Sequence, residues 1–96
     1  MKRKTYKDVK DLGRALGLSE QDILISELKA NMTKQIQKLV KKRGLTHQDL
    51  ADLSGVPRST ITGIISGSLQ RVTIDRLVRI LNSLGKTANF KLKDAA

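Results

Sequence analysis

The stretch His47–Ser66, HQDLADLSGVPRSTITGIIS, decides how this chain is read. It reads as a helix, a tight turn and a second helix. Thr46 stands where a side-chain oxygen can cap the first of these, over about 47–53. Gly55 offers a residue free to take positive φ in the turn. Pro57, the only proline, sits where a helix can start. The second helix is expected to reach about Ser66, with Gly67 closing it. Two helices crossing steeply over a short turn constrain three positions. The first helix needs a small residue where the second lies against it, and Ala51 fits. The turn needs its flexible residue, and Gly55 follows four positions on. The second helix needs an apolar residue facing the first, and Ile61 fits. Leu50, Val56 and Ile64 complete an apolar set around the crossing. Arg58, Ser59, Thr62 and Gly63 remain near the start of the second helix. They are polar or small and would face away from the core.

The flanks extend the helical pattern. Ser19 with Asp22 resembles an N-cap box with Asp in place of Glu. Ile25, Leu28, Met32, Ile36, Leu39 and Val40 then recur at steps of three and four until Gly44, which predicts one long helix over 20–43. Downstream, Thr73 can cap a helix carrying Ile74, Leu77, Val78, Leu81 and Leu84, ended by Gly85. Upstream, Val9, Leu12 and Leu16 predict a short helix over Lys7–Leu16, after a basic start that is expected to be disordered. The tail from Ala88 to Lys93 alternates apolar and polar, the period of a strand. A lone strand cannot satisfy its ladder hydrogen bonds. Pairing of Ala88, Phe90 and Leu92 with a second copy would solve this. The expectation is therefore an all-α domain of about five helices with a short C-terminal strand. It divides into an N-terminal extension (1–18), a helical domain (19–85) and a tail (86–96).

Composition narrows the function. Nineteen Lys and Arg against nine Asp and Glu give a formal net charge of +10 over 96 residues, which suits a polyanionic partner. The aromatics are one Tyr and one Phe, too few for the stacking platforms that bind single strands or RNA, so duplex DNA is favoured. There is no Cys and one His, so thiolate or His-cluster metal sites and disulfides are excluded and no cofactor is implied. No run of about 18 apolar residues exists to span a membrane. No apolar segment follows the basic start, so a secretory signal is not read and a cytoplasmic protein is expected. No nucleophile–base pair or phosphate-cradling Gly loop is present, so no enzyme is expected.

The residues Leu50-Ala51, Ser54-Gly55-Val56 and Arg58-Ser59-Thr60-Ile61 through Gly67 resemble the lambda-repressor-like, or XRE (Cro/CI-type), helix-turn-helix family. The resemblance covers about Gln35 to Leu84. It departs from the family at His47, where Gln is frequent, and at Pro57, where Ser or Thr is usual. The run Ser68-Leu69-Gln70-Arg71-Val72-Thr73-Ile74-Asp75-Arg76-Leu77, with Leu84-Gly85-Lys86 and the upstream segment LGLSEQDILISELKANM, is similar to HigA-type antitoxins. That likeness implies a repressor of its own operon which also neutralises a toxin of RelE/ParE-like fold, with segment 1–30 as the docking surface. A stand-alone phage or mobile-element repressor, a protein-interaction module and a general nucleic-acid binder are the rival readings.

On this reading Arg58, Ser59, Thr62 and Gly63 are the candidates for base contact. Arg58 could donate two hydrogen bonds to guanine, and Ser59 and Thr62 could touch base edges or thymine methyls. Gly63 would allow close approach of the backbone, or answer a packing need. Candidates for phosphate contact are His47, Gln48, Pro57, Thr60, Ser66, Ser68, Gln70, Arg71, Lys42 and Arg43. Lys41, Lys42 and Arg43 would also complement the dipole at a helix C-terminus.

Overall fold

A computed structural model describes residues 15, 17, 19–69, 71–89, 91, 92 and 94. Four helices follow one another: α1 (Glu20–Arg43), α2 (His47–Ser54), α3 (Arg58–Ile65) and α4 (Ile74–Ser83). Each boundary has a local cause. Ser19 Oγ accepts from the Asp22 amide, Thr46 Oγ1 from the Asp49 amide, and Thr73 Oγ1 from the Arg76 amide. Such caps each contribute about 1 kcal/mol. The Ser19–Asp22 pair is not a reciprocal box, because the Ser19 hydroxyl donates to the Asp22 carboxylate. The box is complete at Thr46, whose own amide donates to Asp49 Oδ2. Gly44 closes α1 at φ 64° and Gly55 closes α2 at φ 73°, conformations that are costly for a residue with Cβ.

The core gathers one face of every helix. Met32 and Ile36 of α1 meet Leu50 and Ala51 of α2, Ile61 and Ile64 of α3, and Leu77, Ile80, Leu81 and Leu84 around α4, with Val56 and Val72 sealing the connections. Burying each large side chain contributes about 1.5–3 kcal/mol. The first and last described helices pack on each other, and α2 and α3 pack across them. Arg43 Nη1 adds a hydrogen bond to the Leu84 carbonyl at 2.9 Å, so the C-terminal ends of α1 and α4 are tied together.

Two expectations meet a different outcome. Ile25 shares a stripe with Met32 and Ile36, yet it is exposed, and Ile23 is buried instead. The shared core begins at Met32, so the other described helices leave the stripe uncovered at Ile25. No strand occurs among the described residues of the tail. Ala88 packs against the core rather than alternating with it, and Leu92 is 98% exposed. No partner strand occurs among the described residues, so no ladder forms among them. Phe90 and Lys93 lie outside the described residues, as does nearly all of the short helix expected over Lys7–Leu16.

Candidate nucleic-acid interface

The turn between α2 and α3 sets the angle of the second helix. Leu50 and Ile61 are fully buried and Ala51 is nearly so, which lets α3 lie close against α2. Gly55 takes the left-handed conformation between them, and its amide donates to the Ala51 carbonyl. With Ile61 and Ile64 turned inward, Arg58, Ser59 and Thr62 are exposed on the outer face of α3, and Gly63 is half-buried. A Cβ built on Gly63 would meet only the Ser68 carbonyl oxygen, at 3.9 Å, an ordinary contact. Packing within the domain therefore does not require glycine there.

Pro57 is the residue before α3 rather than its first turn, with φ −55° and ψ 140°. Its carbonyl accepts from the amides of Thr60 and Ile61. It brings no side-chain acceptor, so α3 begins without the hydroxyl cap found on the other helices. Open amides at a helix start favour an approaching anion.

Neighbouring elements hold the outer face of α3. His47 Nδ1 lies 3.0 Å from Thr62 Oγ1, the imidazole tautomer deciding which of the two donates. Arg76 Nη1 donates to Thr60 Oγ1 at 2.9 Å, linking the first turn of α4 to α3. Gln37 Nε2 donates to the Ile65 carbonyl at 3.0 Å, steadying the end of α3 from α1. These links join residues 15, 16 and 28 positions apart. No local pattern marks them, and neither Arg76 nor Gln37 stands out in the sequence.

The remaining candidates scatter. Gln48 donates to Asp52 one turn along α2, and Ser66 Oγ donates to the Gly63 carbonyl at the end of α3. Ser68 and Arg71 are exposed in the α3–α4 connection, beside a shallow hollow that they line with Gly67 and Leu69. Gln70 lies outside the described residues. Lys42 is exposed at the end of α1, whereas the Arg43 head is turned to the Leu84 carbonyl. At the start of α2, the backbone N–H and then the hydroxyl of Thr46 hold the Asp49 carboxyl below its ordinary range. Among the described residues no group of three or more His, Cys, Asp or Glu could hold a metal ion. No helix among them is long and apolar enough to cross a membrane.

A family model described as a helix-turn-helix domain matches residues 10–93. The chain belongs to the helix-turn-helix domain family. In this helix-turn-helix domain α2 and α3 are the paired helices, and the exposed start of α3 is the surface that such domains turn to DNA. No match was found among curated proteins or among solved structures.

Proposed function

We propose that the chain is a repressor that reads a specific duplex-DNA operator with α3. The observation that carries this reading is the exposed row Arg58, Ser59 and Thr62 on a helix locked at its angle by Ala51, Gly55 and Ile61, in a chain of net charge +10. Arg58, Ser59, Thr62 and Gly63 face the base edges. His47, Thr60, Ser68 and Arg71 border them and meet phosphates, with Arg76 behind Thr60 as a further cation at the flank. No catalytic role belongs to this reading. Two copies acting together place two such helices about 34 Å apart on a pseudo-palindromic site. Phosphate contacts make the binding fall steeply with salt.

The likeness to HigA-type antitoxins supports a finer reading. The operator is that of the chain's own operon, in a bacterial cytoplasm, and a toxin of RelE/ParE-like fold is the second partner. Binding to the DNA upstream of its own gene, compared with random duplex by gel shift at several salt concentrations, tests the first part. Equal affinity for both duplexes would refute it and favour a general nucleic-acid binder. Co-purification with the product of the adjacent reading frame tests the second part. A neighbour that does not bind would leave a stand-alone repressor.

A further inference from the structure

We propose that two copies of this chain pair through α1, antiparallel, about a two-fold axis near Asn31. The proposal rests on the two-copy reading above and names its surface. Helix α1 has 24 residues, and at a rise of about 1.5 Å per residue it spans about 36 Å. Only its second half enters the shared core, from Met32 onward. The first half carries Leu24 and Ile25 at 46% and 41% exposure. Its charge is segregated too. Glu20, Asp22 and Glu27 fall in the first half with one cation, Lys29, whereas the second half carries Lys34, Lys38, Lys41, Lys42 and Arg43 and no carboxylate.

A groove of about 460 Å³ runs beside α1 from Leu28 to Lys38. Leu28, Met32, Leu81 and Ala88 supply its apolar lining, and Lys34, Lys38 and Lys86 its cations. A groove of this kind takes apolar side chains flanked by carboxylates. The first half of α1 presents them, as Leu24 and Ile25 between Asp22 and Glu27. The knob residues Leu24 and Ile25 lie on the same helix that forms one wall of the groove, so they cannot enter it within a chain. An antiparallel second copy sets each knob into the other's groove, and the contact closes at two chains. Leu24, Glu27, Leu28, Asn31, Lys34, Gln35 and Lys38 follow one another at steps of three and one, so they share a face of the helix. With Asn31 at the axis, Glu27 of each copy stands beside Lys34 of the other.

The test is the oligomeric state of the full chain across a micromolar concentration series, by sedimentation equilibrium and light scattering. The chain is expected to dimerise. Glu27→Lys and Lys34→Glu should each weaken the dimer at least about tenfold, a change of about 1.4 kcal/mol. The two together should restore it. Leu24→Asp should give a monomer with unchanged helical circular dichroism, because Leu24 is outside the core. That monomer should still bind a single operator half-site in fluorescence anisotropy, so loss of pairing and loss of DNA reading are separable. A wild-type chain that stays monomeric overturns the proposal. So does a double charge swap no better than the singles, or a dimer that needs the residues after Asn89 but ignores the charges on α1.

Discussion

Gly63 separates the needs of the fold from the needs of DNA. It is the sixth residue of the eight-residue α3 and has no positive φ. The space beside it is open, since an added Cβ meets one carbonyl oxygen at 3.9 Å. Glycine in a helix interior costs about 0.5–1 kcal/mol relative to alanine. Gly63→Ala should therefore stabilise the domain by about that amount, raising Tm by about 2–8 °C for a chain of this size. Gly55→Ala is the matched contrast. It too meets nothing within 4 Å, but its φ of +73° makes the same methyl cost about 1–2 kcal/mol. If Gly63 allows the backbone to approach a groove, the more stable Gly63→Ala variant should bind operator at least about tenfold more weakly. Differential scanning calorimetry and anisotropy titration on the same preparation read both effects. A fall in Tm would refute the packing argument. A higher Tm with unchanged affinity would remove Gly63 from the interface.

Thr33 is buried in α1, and its hydroxyl oxygen has no hydrogen-bond partner. Thr33→Val should raise stability, by about 1 kcal/mol or more in urea unfolding, because an unsatisfied polar group is replaced by an apolar one of the same shape; a loss of stability would show that the hydroxyl has a use. Ile36→Ala removes a fully buried side chain from the centre of the core and should cost about 2–5 kcal/mol in the same assay. Asp49 has its pKa lowered by its bonds to Thr46. Its stabilisation is thus fully present above the ordinary value and lost as pH falls through the lowered one. The Tm difference between wild type and Asp49→Asn should be constant near neutrality and shrink below about pH 4, and a gap that widens there would contradict the cap geometry.

The helix ends were legible because their causes are local. Ser19, Thr46 and Thr73 cap within three residues, and Gly44 and Gly55 take the conformations that stop a helix. The crossing residues were legible as well, since Ala51, Gly55 and Ile61 are constrained by one short turn. What a stripe packs against is another matter. Ile25 has the same period as Met32 and Ile36, but whether it is covered depends on how far the other helices reach along α1. Arg43 reads as one more cation in a basic cluster, whereas its partner is a carbonyl 41 positions away. The links of His47 to Thr62 and of Arg76 to Thr60 arise only from folding.

The tie between Arg43 and Leu84 closes the chain into a ring, with α2 and α3 strung between its clasped ends. The DNA-facing pair is therefore not a removable cassette. A fragment cut at 45–69 would lose Met32, Ile36, Leu77, Ile80 and Leu81, and with them the floor on which Leu50, Ile61 and Ile64 rest. Grafting this specificity onto another scaffold would mean moving single side chains of α3, because the motif taken alone would dissolve into two eight-residue peptides, far shorter than the about 12–15 residues a lone helix needs in water.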